Sequence, residues 1–245
     1  MTSIANFRKF VEVTQKDGWV KAIKISFQRL FPEFIPNKNF WGLGYAFECE
    51  LIKRLPPNPI FKHYVRSKIT RTSKLQLGCG NTICEGWLHQ DWKRLKGVDF
   101  VIDVRRLNKY VEANSLDAIF TSHMIEHLRR HEARELLADV WNWLRPGKEI
   151  WIATVNLDVL YPLAKDPNTS EADREFALNL IASSPPGHVS AWFFEDIYRI
   201  LDSIGFEDIR TWGEPPKEFK QTSGFWDYCL AGKLISLNVY ARKKI

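Results

Sequence analysis

The spacing of apolar positions changes character near residue 73 of this 245-residue chain. Ahead of that point, Phe7, Phe10, Val11 and Thr14 share one helical face behind a candidate cap at Asn6. After Asp17-Gly18, Trp19, Val20, Ile23, Phe27, Leu30 and Phe31 recur at helical spacing with Lys21, Lys24, Gln28 and Arg29 on the other faces. Two amphipathic helices are predicted there. Pro32, Pro36 and the cluster Pro56-Pro57-Asn58-Pro59 then punctuate the chain. Phe31 to Thr72 is accordingly predicted to wrap the core as loops, with one short helix over Tyr45 to Arg54.

From Lys74 onward the pattern alternates between short apolar runs and longer helical ones. Strands are predicted at Lys74 to Leu77, Trp87 to His89, Phe100 to Val104 and Asp117 to Thr121. A helix over Glu132 to Leu144, with Leu136, Leu137, Val140, Trp141 and Leu144 on one face, stops at Arg145-Pro146-Gly147-Lys148 before a strand at Glu149 to Val155. A polar, proline-rich interval follows, then a helix over Glu195 to Ser203 ended by Gly205. The β-rich runs Asp208 to Trp212 and Leu234 to Ala241 close the sheet. Such alternation predicts an α/β fold with a mostly parallel, seven-stranded sheet and helices on both faces. The chain divides into an amino-terminal helical and irregular extension, 1–72, and a main domain, 73–245.

Composition narrows the class. With 45% hydrophobic and 26% charged residues the chain has the balance of a folded protein rather than a disordered one. A net charge of +6 suits a phosphate-bearing partner, an anionic membrane surface or an anionic substrate. For the basic amphipathic stretch before residue 31 two readings stand: contact with a lipid surface, or a cap that buries its aromatic stripe on the core. Cys49, Cys79, Cys84 and Cys229 show no paired spacing with matching histidines, so neither a zinc knuckle nor a disulfide framework is indicated. The start of the chain has no basic segment followed by an apolar one, and no apolar run approaches the roughly 18 to 20 residues of a spanning helix. A cytoplasmic protein is expected.

The chemistry-bearing pattern begins at Leu75-Gln76-Leu77-Gly78-Cys79-Gly80, an apolar strand entering a glycine turn, with Asp91 following the next apolar run, Gly86-Trp87-Leu88-His89. Glycines let main chain approach a ligand closely, and a carboxylate at the tip of the neighbouring strand accepts ribose hydroxyl protons. The interval from Gly80 to Asp91 is shorter than the roughly 20 residues of the dinucleotide fingerprint, so the first crossover helix is reduced to a turn and an NAD or FAD site is disfavoured.

Ser122-His123-Met124-Ile125-Glu126-His127-Leu128 follows the fourth strand, and Ser203-Ile204-Gly205-Phe206 precedes a later one. Taken with Leu75 to Gly80, Gly86 to Trp92, Leu144 to Ile152 and His188 to Phe206, these segments resemble the class I S-adenosylmethionine-dependent methyltransferases. The likeness is nearest to small bacterial enzymes found beside polysaccharide biosynthesis genes, and it covers the last two thirds of the chain. It implies a Rossmann-like methyltransferase fold with S-adenosylmethionine as cofactor. On that resemblance Leu77, Gly78, Cys79 and Gly80 lie under the methionine part of the cofactor and Asp91 holds the ribose hydroxyls. Trp92 packs on adenine, Asp103 and Val104 meet its amino edge, and His123 borders the sulfonium. Gln76 departs from the acid frequent in the family at its position, and Thr82 stands where a third glycine is common. Plainer readings exist: Asp103 as a helix cap, Trp92 as core, the glycines as an ordinary turn.

His123-Met124-Ile125-Glu126-His127 also spells H-x-x-E-H, a zinc hydrolase signature. That signature needs a long helix and a third ligand downstream; here the run follows a strand directly, so no metal is assigned. An alcohol acceptor needs a base, and histidine suits neutral pH; His127, His188 and His123 are the candidates. The family's nucleobase-methylating members carry an Asn/Asp-Pro-Pro-aromatic run after the fourth strand, which Ser122-His123-Met124-Ile125 does not match. The expected acceptor is therefore a sugar or nucleotide-linked sugar methylated on oxygen, with no nucleic-acid partner. The alternatives are N-methylation of an amino sugar, a catalytically silent cofactor-binding partner protein and, further off, an RNA methyltransferase.

Overall fold

The structure, a computed structural model, describes residues 57–69, 73–182, 187–220, 222 and 225–245. The amphipathic helices expected before residue 31 and the short helix expected over 45–54 lie outside these residues, and so does the choice between lipid surface and core cap.

The packed unit runs from Pro57 to Ile245 and opens with a helix in a stretch the prolines mark as loop. α1 (Pro59–Ile69) starts where Asn58 Oδ1 accepts the amides of Ile60 and Phe61 at 3.0 and 3.2 Å. Asn58-Pro59 therefore acts as a cap followed by proline at the first helical position, where the missing N–H costs nothing. Val65 is fully buried, and Phe61 meets the Tyr110 ring edge-on with centroids 4.9 Å apart. Residues 57–69 thus group with the sheet.

Five parallel strands follow: β1 (Lys74–Leu77), β2 (Leu88–Asp91), β3 (Phe100–Val101), β4 (Leu116–Ser122) and β5 (Leu144–Val155), with α2 (Arg130–Trp143) between the last two. Then come α3 (Leu157–Lys165), α4 (Glu171–Ala182), α5 (Phe194–Ile204), β6 (Phe206–Thr211), the small hairpin β7 (Cys229–Leu230) and β8 (Lys233–Leu234), and β9 (Ser236–Lys243). The main sheet has seven strands in the order β3-β2-β1-β4-β5-β9-β6, with β9 antiparallel to both its neighbours. The mostly parallel, Rossmann-like sheet expected from the sequence is present.

Central strands buried on both faces tend to read as apolar runs, as Ala118 to Phe120 of β4 do; β9 is enclosed along nearly its whole length although Ser236, Asn238, Arg242 and Lys243 are polar. Leu75, Leu77, Ile119, Ile150, Ile152 and Val239 share one core cluster with Val65 of α1, Leu137 and Val140 of α2, and Ile197 and Leu201 of α5. The second cluster is aromatic. Phe120 stacks on Phe219 at 4.0 Å, Trp87 meets Phe219 at 4.9 Å, and Trp226, Trp212 and Tyr240 complete it. Its outer layer comes from the link before β2 and from 3-10 turns at Lys217–Phe219 and Phe225–Asp227. No helix lies between β1 and β2 or between β2 and β3, as the short interval from Gly80 to Asp91 predicts.

Three differences from the sequence reading have local causes. Strand three ends at Val101 because Asp103 Oδ1 takes the Arg105 amide and caps a 3-10 helix, Val104–Lys109. The turn Arg145–Lys148 lies inside β5 as a bulge: pairing jumps from Leu116 with Leu144 to Ala118 with Glu149, and Gly147 takes φ +74°. The proline-rich interval holds α3 and α4, which bury Leu160, Leu163 and Ala177 against each other and against Val155 and Ile235. No helix among the described residues is long and apolar enough to cross a membrane.

Because Val65 is fully enclosed, Val65→Ala should remove about 2 kcal/mol of stability through lost burial and an incompletely filled cavity. Thermal unfolding of the two proteins measures it.

Candidate functional site

The carboxyl ends of β1 and β2 are tied together by a short set of hydrogen bonds. Cys79 donates its amide to the Gln90 carbonyl at 3.0 Å, Gly78 donates to Gln90 Oε1 at 3.1 Å, and Gln90 Nε2 reaches the Ile102 carbonyl at 2.6 Å. Gly80 donates to Asp91 Oδ2 at 2.9 Å and Lys93 to Asp91 Oδ1 at 2.8 Å. Two amides on different oxygens fix the orientation of a carboxylate that is itself 6% exposed. Each oxygen accepts more than one bond, so both retain capacity toward hydroxyl donors.

The two glycines of the turn have different reasons to be glycine. Gly78 has φ +61°, and a Cβ there would fall 2.7 Å from Met124 Cβ and nearer still to its Cγ. Met124 belongs to the loop after β4, so this glycine lets two neighbouring strand ends close on each other. Gly80 has φ +54°, and nothing lies within 4 Å of where its Cβ would stand. The open side of the turn is at Gly80.

Trp92 is 71% exposed, with Lys93 Nζ 5.1 Å from its ring. The plainer reading of Trp92 as core does not apply. Asp103 is held by Arg105, which contacts both carboxylate oxygens and also reaches Glu132 Oε1 at 3.0 Å; the cap reading describes its geometry, while Val104 turns into the core. Cys79 sits buried in the turn, where burial first and the Asp91 charge second push its thiol up to about 12. Burial likewise pushes Cys84 up to about 11. His89 is a buried structural histidine: the Cys84 amide donates to its Nε2 at 2.9 Å, and burial lowers its pKa although the Asp99 charge opposes this.

The loop after β4 begins with His123 in the left-handed region at φ +49°, its amide on the Ala153 carbonyl. His123 Nδ1 lies 2.9 Å from Glu126 Oε1 and its Nε2 3.3 Å from Ser236 Oγ. Glu126 is fully buried and accepts from Thr154 Oγ1 at 2.9 Å. Burial pushes its carboxyl up, but the hydrogen bond and charge of His123, helped by His127, outweigh that and hold it below the ordinary range. His127 is exposed; its Nδ1 lies 3.2 Å from the Gly187 carbonyl and its ring 5.2 Å from that of His188. His188 Nδ1 in turn donates to the Leu180 carbonyl at 2.8 Å. The structure therefore brings His127 and His188 together and sets His123 apart on Glu126.

A strap over 187–192 closes this end of the sheet. Val189 and Ser190 donate their amides to the Glu126 carbonyl at 2.8 and 3.0 Å, and the Arg130 guanidinium lies 4.7 Å over the buried Trp192 ring. The H-x-x-E-H run is not a long helix but a single 3-10 turn, Ile125–His127. Among the described residues no group of His, Cys, Asp and Glu is gathered to hold a metal ion. Sequence reasoning missed Gln90, Thr154 and Ser236. Each is a polar residue within a buried strand end, and that irregularity was the available signal.

No family model and no curated protein matches the chain. Among solved structures it is similar to an S-adenosylmethionine-dependent methyltransferase from Archaeoglobus fulgidus, 18% identical over 81% of this chain and 100% of that one, with a TM-score of 0.46. It is also similar to one from Mesorhizobium loti, 15% identical over 69% and 90% of the two chains, TM-score 0.44. A possible exported protein from Bordetella parapertussis is 14% identical over 75% of this chain at a TM-score of 0.46; the chain covers 66% of that protein, just under two thirds.

Two outcomes test this geometry. Gly78→Ala should cost about 3 kcal/mol from left-handed strain plus overpacking, and Gly80→Ala only about 1–2 kcal/mol from strain. The double variant Gly78→Ala/Met124→Ala should lose at least about 1 kcal/mol less than its two single changes together, read by denaturant unfolding. Among the described cysteines, a thiol reagent at pH 8 should label exposed Cys229 well before Cys79 and Cys84, whose thiols ionise only far above that pH.

Proposed function

We propose that this chain is an S-adenosylmethionine-dependent methyltransferase. The observation that carries the reading is the junction of β1 and β2: an open glycine main chain at Gly80, bonded at 2.9 Å to the carboxylate of Asp91, across a crossover with no helix. Leu77 to Gly80 would hold the amino-acid end of the cofactor, Asp91 the ribose hydroxyls, and exposed Trp92 offers a ring face to adenine. Asp103, engaged by Arg105, contributes to the adenine edge through the loop it caps, with Val104 behind it.

When bound, the cofactor supplies an electrophilic methyl group; the chain has to place an acceptor in line with it, exclude water and take up a proton. His127 is suited to the last task. A carbonyl only accepts, so Gly187 fixes the proton on Nδ1 and leaves the Nε2 lone pair of an exposed ring available. His188 is held in the same tautomer by Leu180 and flanks it. His123, with both nitrogens engaged, borders the crevice as a positioning group.

The acceptor in this reading is a small hydroxylated molecule, a sugar or nucleotide-linked sugar methylated on oxygen. The histidine-bearing Ser122–Ile125 segment and the net charge of +6 support it. N-methylation of an amino sugar uses the same base, and a silent partner subunit would bind cofactor without turnover.

Calorimetric titration tests the reading. S-adenosylmethionine should bind and NAD should not, and Asp91→Ala should weaken the former at least tenfold, about 1.4 kcal/mol. Undiminished binding by Asp91→Ala would remove the site assignment.

A further inference from the structure

Glu126 is a buried carboxylate that the proposed chemistry leaves without a task. It is 0% exposed, yet both its carboxylate oxygens and its carbonyl are partnered: His123 on Oε1, Thr154 of β5 on Oε2, and the amides of Val189 and Ser190 on the main-chain oxygen. One residue thus joins the loop after β4 to a neighbouring strand and to the strap.

The hydrogen bonds around His123 run in one direction only. Asn238 Nδ2 donates to the Trp226 carbonyl at 2.9 Å, which leaves Asn238 Oδ1 as the acceptor for the Ser236 hydroxyl at 2.8 Å. With its single proton given to Asn238, Ser236 Oγ can only accept from His123, so Nε2 carries a proton. An ionised Glu126 on the other side accepts, so Nδ1 carries one too. Both ring nitrogens donate, and neither offers a lone pair to an acceptor alcohol. His123 needs such anchors: a side chain at φ +49° is strained and persists only where its surroundings over-determine it. Met124, the next residue, fills the space beside Gly78.

We propose that Glu126 is a positioning residue for the cofactor crevice: it fixes His123 as a two-sided donor and thereby holds Met124 against the Gly78 turn, while its carbonyl fastens the strap to the same loop. The assignment rests on the methyltransferase reading for its effect on cofactor, but its effect on His123 is independent of that reading.

Glu126→Gln separates charge from shape. The amide oxygen can still accept from Thr154, while the amide nitrogen must donate to His123 Nδ1, which reverses that one bond at nearly unchanged volume. Nitrogen-15 NMR of the His123 ring should show Nδ1 changing from an N–H donor to a bare acceptor, and S-adenosylmethionine should bind about tenfold more weakly. Ser236→Ala, which leaves Glu126 untouched, should keep the Nδ1 donor signature and serves if the Gln variant folds poorly. The proposal is overturned if Glu126→Gln retains that signature, if it binds S-adenosylmethionine as tightly as a parent that does bind it, or if Ser236→Ala loses the signature. A parent protein that binds no S-adenosylmethionine would sink the functional reading alone, and the ring signature would still decide the role of Glu126.

Discussion

One methyl group's worth of space between Gly78 and Met124 governs how the strand ends meet. β1 and β4 are adjacent parallel strands, and their outgoing loops must turn away in a confined region without closing the crevice. A bare α-carbon at position 78 lets the Met124 side chain lie directly on the turn, so the turn is braced from behind and the open side is left at Gly80. The bracing residue is itself held by the strained His123 beside it, whose ring bonds Glu126 and Ser236. Packing, backbone strain and a buried charge are linked within a few residues.

The two faces of the sheet solve the burial problem differently. α1, α2 and α5 pack aliphatic side chains on one of them. On the other, with no helix in either of the first two crossovers, stacked and edge-on aromatic rings take that part, delivered by short turns. Large rings bury enough area per residue for an irregular segment to seal a sheet. The tryptophan-rich composition has its structural use there, and a short crossover leaves the Asp91 end of β2 uncluttered.

Much of this was legible in the sequence, for physical reasons that also mark where legibility stops. Lys74–Leu77 as a strand, the glycine turn and the Asp91 spacing are local signals, and local chemistry sets them. The mostly parallel character of the sheet follows from the alternation of strand and helix patterns; the strand order, with β9 between β5 and β6, rests on long-range pairing that no local pattern encodes. α1 was hidden because Asn58-Pro59 has the same letters as a turn; only Val65 and Phe61 finding partners far along the chain makes it a helix. α3 was hidden because Pro162 lies inside it, and α4 because Ala177 is its one fully buried position among the described side chains and its apolar stripe is weak. In the site, Asp91 and the histidine run stood out by residue type. Met124, Gln90, Thr154 and Ser236 did not, since what matters in each is a contact across strands that no spacing rule encodes.

The antiparallel insertion of β9 has a bearing on the order in which the chain is made. Ser236–Lys243 follows the other six strands of the main sheet in sequence, yet it lies between β5 and β6 and contributes Ser236 beside His123. Until Ser236–Lys243 emerges from the ribosome, β5 has a bare hydrogen-bonding edge and β6 has no neighbour in the sheet. A nascent chain that stops short of Ser236 is therefore a split sheet, and the crevice acquires its full set of supports only once this strand has docked.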